Sequence, residues 1–524
     1  MKNMKLNRLL LFGAIIIFCL AISPVFAVEK FDDKDFSNFV KKEMKIWNVP
    51  GSAIIIIKDD KVIFSEGFGY RDAEKKLKVT PKTIFAIGSS TKAFTTLVAG
   101  MLVDEKKVEW DRPIRDYYPG LKMYDKYVAE HLTLRDALCH RSGLPRHDIV
   151  WWVNSGLSRK EIMDRLQYLK PSYGFREIMQ YNNHMYVLSG YVVEKITGKS
   201  WEESVRERIF KPLGMNDSCF EIADVMKSNN YALPYHLQPK KPEQMPEKPA
   251  DVPIKQIPFC KDLVSIGPAG SINSNIEDMG KWVKLHLNRG KVSDKQIIRE
   301  DTLLDMHTPQ MAMPVKGEFE PVIFKEMPVL NYGLGWVIQP YRGNYLVHHG
   351  GNVDGFSALV SFIPEKKIGI VVLTNMTRTT LPYIITFSAY DRLIGLDRID
   401  WNKKFMDKKA ELLGKSKESM EKEHKKNTSP SHPITDYMGK YTNKAYGDII
   451  ITLKDKNLNI TFRNKTGHLK HYQYDTFKPE MQFPVYYFNA GVTFGMNKKG
   501  NIDKLSIPLE PAVDDIVFER VSDG

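Results

Sequence analysis

The sequence predicts an α/β fold of the α+β type: an antiparallel sheet flanked by helices plus a helical lobe, followed by a small all-β C-terminal domain. Three observations carry this. Strand-like apolar runs stand near both ends of residues 28–396, at Ser52–Asp59 (SAIIIIKD) with Lys61–Phe64, and at Ile368–Leu373 (IGIVVL). Between them lie mostly helical patterns, and strands at both ends with helices in the middle imply a sheet assembled from the two ends of the chain. Period-two alternation then returns near the C-terminus, at Leu458, Ile460 and Phe462 and again at Val492, Phe494 and Met496, with a turn at Lys499-Gly500-Asn501.

In chain order, Lys2, Lys5 and Arg8 precede an apolar run from Leu9 to Ile22 and then Pro24-Val25-Phe26-Ala27. This is the pattern of a secretory signal peptide cut after Ala27, so residues 1–27 are expected to leave a secreted or periplasmic protein. An uncleaved anchor is the alternative, although the run is short for a spanning helix. Cys19 follows Phe18 rather than a small residue, which argues against a lipoprotein site. Residues 397–432 read as a charged helix (DKKAELLGKSKESMEKEHKKN) and polar linker, a solvated spacer, and 433–524 as the β-rich domain.

At 524 residues the chain allows two to four domains, and 43% apolar with 27% charged residues exclude a disordered or fibrous protein. The formal charge is +13, of which the signal contributes three. The remainder is spread out or gathered near 403–426, with no basic helix or Arg-rich arm. That argues against nucleic acid and favours solubility or association with an anionic cell envelope. Outside the signal, Cys139, Cys219 and Cys260 are odd in number and lack CxxC spacing, which excludes a disulfide scaffold. His140 and His147 lack an acidic partner at ligand spacing, so no metal is expected. Gly67-Phe68-Gly69 is half of a dinucleotide fingerprint and reads as a strand-end turn. Trp151-Trp152 reads equally as cleft lining or packing.

The chemistry gathers in three places. In Phe85-Ala86-Ile87-Gly88-Ser89-Ser90-Thr91-Lys92, helical periodicity begins after Lys92, so Ser89 sits near a helix start with Lys92 one turn along on the same face. Serine needs a neighbouring base to act as a nucleophile, and a desolvated lysine can serve. Tyr181-Asn182-Asn183 precedes a helix-patterned run from Met185 to Ile196, and His349-Gly350-Gly351-Asn352 opens a Gly-rich strand. Taken singly, these also read as a buried tyrosine, a cap asparagine and a glycine turn.

Together, Ser89-x-x-Lys92, Tyr181-x-Asn183 and His349-x-Gly351 resemble, in order, the three motifs of serine β-lactamase-like proteins, the class C β-lactamase and penicillin-binding esterase/peptidase group. Leu132-Thr133-Leu134-Arg135-Asp136, His140-Arg141-Ser142-Gly143-Leu144-Pro145, Lys211-Pro212-Leu213-Gly214-Met215 and Gly267-Pro268-Ala269-Gly270 agree with it. The likeness spans about residues 35–395. The last ninety residues or so, opening on Tyr437-Met438-Gly439-Lys440-Tyr441, look like the lipocalin- or barrel-type accessory domain of some members.

The resemblance implies Ser89 as acylated nucleophile, and Lys92 and Tyr181 as the pair that takes its proton. It implies Asn183 as holder of the substrate amide, and an oxyanion hole from the N–H of Ser89 and one near Asn352. It implies a small-molecule or peptide substrate and no cofactor, and leaves the oligomeric state open. The departure is His349, which stands where classical members carry a lysine that engages a substrate carboxylate. A neutral histidine there favours esters, amides or peptides, D-amino-acid peptides included. A β-lactamase or D-alanyl-D-alanine carboxypeptidase is the alternative, and a non-catalytic envelope or peptide binder the further one. His348 is adjacent, but the spacing to Gly355-Phe356 selects His349.

Overall fold

The computed structural model describes residues 31–152, 156–238, 248–314, 320–421, 424–463, 465–482, 487–488 and 490–521. The expected signal peptide, with Cys19, lies outside them.

The first domain opens with α1 (Asp33–Ile46), capped by the Asp32 carboxylate. A hairpin of β1 (Gly51–Lys58) and β2 (Lys61–Asp72) follows. Its two-residue turn puts Asp59 and Asp60 at φ 49° and 63°, the left-handed pair a tight hairpin demands. The helical lobe includes α2 (Lys92–Asp104), α3 (His184–Thr197) and α4 (Ile276–Leu287). The chain then returns to the sheet as β3 (Val337–Tyr341), β4 (Asn344–Val353), β5 (Phe356–Ile363) and β6 (Ile368–Thr374), and closes with α5 (Leu381–Leu393). β6 pairs antiparallel with β1, Ser52 opposite Thr374 and Lys58 opposite Ile368, so the two chain ends do build one sheet.

That sheet has nine strands in the order Met311–Ala312, Asn331–Tyr332, β3, β4, β5, β6, β1, β2, Leu77–Lys78. β1 is apolar on both faces because both are covered. Ala53, Ile55 and Ile57 join a core with Phe94, Leu97, Trp282 and Val283 of α2 and α4. Ile54 and Ile56, one residue out of phase, join a second core with Phe36 and Val40 of α1 and Leu381 and Ile384 of α5.

Gly67 and Gly69 correct the turn expectation, for both lie inside β2. A Cβ on Gly67 would stand 2.4 Å from the Val79 carbonyl oxygen, and one on Gly69 would stand 2.1 Å from that of Pro50. Close backbone approach, not chain reversal, is what these glycines allow.

Helix α6 (Trp401–Glu421) is not only a spacer. Its first turns are anchored, with Trp401 and Phe405 buried in the second core and Trp401 Nε1 donating to Asp391 at 2.9 Å.

The C-terminal domain comprises β7 (Gly439–Asn443), β8 (Gly447–Lys454), β9 (Asn457–Phe462), β10 (Lys465–Gln473), β11 (Thr476–Gln482), β12 (Val492–Met496), β13 (Ile502–Ile507) and β14 (Ile516–Arg520). Each pairs with two neighbours, β10 with β11 and β7 with β14 included, so the sheet closes into an eight-stranded barrel. Leu458, Ile460 and Phe462 point inward as their alternation predicts, as do Val492 and Phe494. Met496 does not. The register against β13 shifts between Gly495 and Met496, with Asp503 unmatched, and Met496 is 45% exposed.

Candidate active site

Ser89 lies in a 3₁₀ turn, Gly88–Thr91, that feeds directly into α2. The turn is pressed against β4 where that strand has outrun its neighbour, since β3 pairs only as far as His348. Two glycines permit the contact. Gly88 has φ +51°, and a Cβ on it would lie 2.7 Å from the Asn352 nitrogen. A Cβ on Gly351 would lie 1.8 Å from the Ile87 oxygen. Val353 opposite Phe356 closes a two-residue turn, so ladder alternation directs the Asn352 N–H away from β5 and toward the Ser89 turn.

Lys92 is fully buried. Its Nζ stands 3.0 Å from Ser89 Oγ and donates to Asn183 Oδ1 (2.8 Å) and to the Ala269 carbonyl (3.0 Å). The Ala269 carbonyl comes from the short helix Gly267–Gly270. Tyr181 is 9% exposed, with Lys92 Nζ 4.8 Å and the Arg146 guanidinium 5.1 Å from its ring centre. The three motifs thus meet at one point, although they are spread over more than 250 positions of sequence.

Asn183, expected to hold a substrate amide, uses both ends of its side chain inside the protein. Its Oδ1 takes the Lys92 hydrogen bond and its Nδ2 donates to Asp148 Oδ1 at 2.9 Å. Asp148 also accepts from Arg146 Nε (2.7 Å) and Trp151 Nε1 (2.9 Å). Burial pushes the Asp148 carboxyl up, but Arg146 and the donors from Arg146, Asn183 and Trp151 outweigh it and hold it below the usual carboxylate range. Sequence reading missed Asp148, because nothing in local spacing ties it to Asn183. Trp151, 8% exposed, belongs to this network and to the packing rather than to an open cleft wall.

His349 lies beside the Ser89 turn and Tyr181. Its carbonyl accepts from Ser90 Oγ at 3.0 Å, and its ring centre lies 6.3 Å from that of Tyr181. His348 points the other way, to Gln339 and toward Tyr383 on α5, as period two requires. His349 is 3% exposed. Its Nδ1 lies 2.6 Å from the Gly350 carbonyl and therefore carries the proton, leaving Nε2 to accept from Tyr332 O–H at 2.9 Å. Burial first, then the nearby Lys92 charge, lowers it to about 3. At neutral pH this position holds no cation. His140 is also buried here, its ring 4.4 Å from Tyr181 and its Nδ1 accepting from the Asn182 N–H.

Burial likewise lowers His184 to about 4 and His307 and His348 to about 3. Each titrates near 6.5 when unfolded, so the unfolded chain binds more protons as pH falls below that value. Stability is therefore complete above about pH 6.5 and falls toward pH 4, by up to about 1.4 kcal/mol per pH unit for each such histidine. Denaturant midpoints should drop clearly between about pH 7 and pH 5, and a flat profile would contradict the neutral assignments.

Comparison with known proteins places the chain in a family. A family model described as Beta-lactamase matches residues 36–384. The chain belongs to the Beta-lactamase family. A second model, a domain of unknown function (DUF3471), matches residues 423–520, which take in the barrel. Among Beta-lactamase family relatives, the unguisins hydrolase ungD' of Aspergillus campestris is 28% identical over 83% of this chain and 80% of its own length. Protein flp of Staphylococcus aureus is 27% identical over 67% of this chain and 65% of its own. Among solved structures, the octameric penicillin-binding protein homologue from Pyrococcus abyssi aligns at TM-score 0.59 and 25% identity, covering 93% of this chain and 100% of that one.

Proposed function

We propose that the protein is an exported serine hydrolase that cleaves ester, amide or peptide bonds through an acyl-enzyme on Ser89. The observation that carries this is the Lys92 ammonium position, 3.0 Å from Ser89 Oγ and fixed by Asn183 and Ala269, with Lys92 fully buried and Ser89 partly open to solvent. In this reading Ser89 Oγ attacks the substrate carbonyl carbon and its proton passes to the Lys92–Tyr181 pair. The carbonyl oxygen takes up negative charge between the N–H groups of Ser89 and Asn352. The C–O or C–N bond then breaks, the leaving group takes the proton, and a water freed of its proton by the same pair hydrolyses the ester. A phenolate on Tyr181 has two cations beside its ring, Lys92 and Arg146, which suits it to the proton-accepting role. Export rests on the pattern of residues 1–27.

The neutral His349 supports substrates without a carboxylate at that end. A p-nitrophenyl ester should be turned over with kcat/KM about 10²-fold or more above that for benzylpenicillin, the scale of one missing charge pair. Spectrophotometric assay of both, beside D- and L-amino-acid amides, checks this. Efficient penicillin turnover would instead establish the β-lactamase reading, and binding with no turnover of any substrate would establish the binder.

A further inference from the structure

The loop that carries Asp148 is held from outside the catalytic domain. His147 has φ 45°, a left-handed conformation disfavoured for a non-glycine residue, and it is fully buried. Its N–H donates to Glu510 at 2.7 Å, and its Nδ1 lies 2.6 Å from the Tyr446 hydroxyl. Its Nε2 is 2.8 Å from the Lys170 carbonyl, which can only accept, so Nε2 bears the proton and Tyr446 donates to Nδ1. The His147 carbonyl lies 3.3 Å from Nε2 of His184, the residue after Asn183. At the end of the following 3₁₀ turn and just past it, Arg463 donates to the carbonyls of Val150 (3.1 Å) and Trp152 (2.5 Å), and also to that of Tyr446 (3.1 Å). Tyr446, Arg463 and Glu510 all belong to the barrel domain. The line from the barrel to the reactive centre is then continuous: barrel, His147, Asp148, Asn183, Lys92, Ser89.

We infer that the C-terminal barrel is a working part of the active site, with Tyr446, Arg463 and Glu510 acting as positioning residues. They hold the 147–152 loop in its left-handed turn so that Asp148 keeps the Asn183 amide oriented with Oδ1 toward Lys92. An amide has two nearly isosteric ends; Lys92 can only donate and the Asp148 carboxylate can only accept, so the two together fix which end faces which and hold the amide from both sides. Without the barrel contacts, His147 is free to leave the left-handed region, Asp148 swings away, and the Asn183 amide loses its second anchor, so its hold on the Lys92 ammonium loosens. This assigns a role to a domain whose family description carries none, and it rests on the Ser89 reading above. Ordinary domain packing predicts something different, since the contacts would then serve stability and leave the rate of acylation alone.

The test uses the full chain with a Tyr446→Phe/Glu510→Ala double variant, an Asp148→Asn variant, their combination, and Asp514→Ala as control. Asp514 pairs with the exposed Lys170 ammonium across the same domain boundary, whereas His147 uses only the Lys170 backbone carbonyl, so the variant removes a boundary ion pair without removing a hydrogen bond of the loop. The readouts are the rate of Ser89 labelling by a fluorophosphonate against pH, kcat and KM on a neutral ester, and backbone hydrogen exchange. The double variant should acylate about tenfold or more slowly with KM little changed, since small misplacements of a reacting group cost rates of that order. Segment 146–152 should exchange faster while the barrel strands stay protected. Asp148→Asn should move the acid limb of acylation to lower pH, because losing one negative charge favours a neutral lysine and a phenolate alike. Combined with the double variant it should add little further loss, the signature of groups acting in series. Asp514→Ala should label at the wild-type rate.

Unchanged acylation in the double variant, or full additivity with Asp148→Asn, would overturn the inference. If the wild type itself takes no phosphonate, the Ser89 reading falls first. Hydrogen exchange then still decides whether the barrel holds the loop, and unchanged exchange in 146–152 would overturn that as well.

Discussion

Ser89→Ala is expected to lower hydrolysis by about 10⁴-fold or more while leaving the fold intact, because the variant lacks the hydroxyl proposed to form the covalent bond. The removed hydroxyl is a small part of the packing. Its recorded partner, Lys92 Nζ, keeps acceptors at Asn183 and Ala269, so the ammonium is not left bare. Denaturation midpoints should therefore move little while kcat/KM collapses. Residual activity would come from whatever the oxyanion donors and the bound geometry supply to water. Steady-state kinetics on an activated ester, with circular dichroism as the fold control, makes the measurement.

Lys92→Met should be nearly as damaging to activity, by about 10³-fold or more, since it keeps the apolar stem and removes the group proposed to share the nucleophile's proton. Its effect on stability is the sum of two opposing terms. The Asn183 and Ala269 oxygens lose a buried donor, which costs about 1–3 kcal/mol for each unsatisfied group. Against that, a fully buried ammonium no longer has to be desolvated, and removing such a charge often offsets the loss. The variant should unfold within a few degrees of the wild type yet acylate far more slowly. Retained acylation in Lys92→Met would place the base elsewhere, with Tyr181 as the group to examine next.

What the sequence disclosed follows from how far each interaction reaches. Ser89 and Lys92 are one helical turn apart, so local periodicity is enough to place them side by side. The β1 run and the β6 run are apolar on both faces because each lies in the middle of a covered sheet, and that property is visible without knowing the partner. Period two also separates His348 from His349, since neighbours on a strand must face opposite ways. Closure of the barrel was legible only through the family resemblance, because alternation reports which face of a strand is buried and not which strand lies beside it. Met496 was misjudged for a related reason: the register against β13 shifts beside it, where Asp503 is the unmatched residue, and alternation within one strand does not report where its partner bulges. Gly67 and Gly69 were read as a turn because glycine signals both chain reversal and close approach, and only the position of Val79 and Pro50 decides between them. Asp148 was invisible for the plainest reason. Its partner Asn183 is 35 positions away, and its support from Glu510 comes through His147, 363 positions from that carboxylate.

The same reasoning explains the third motif. A histidine where a lysine is customary is an obvious departure in sequence, but its charge state depends on Tyr332, the Gly350 carbonyl and burial, none of which the motif contains. The structure turns an ambiguous titratable group into a neutral one, and the substrate preference proposed above follows from that neutrality.

The most direct test of Ser89 as the acylated nucleophile is intact-mass spectrometry of the protein treated with a fluorophosphonate, beside Ser89→Ala. Attack by Ser89 Oγ forms the O–P bond and expels fluoride, so the account predicts a single adduct that maps to Ser89 and is absent from the variant. Folded wild-type protein that takes no adduct, or an adduct that persists in Ser89→Ala, would contradict it.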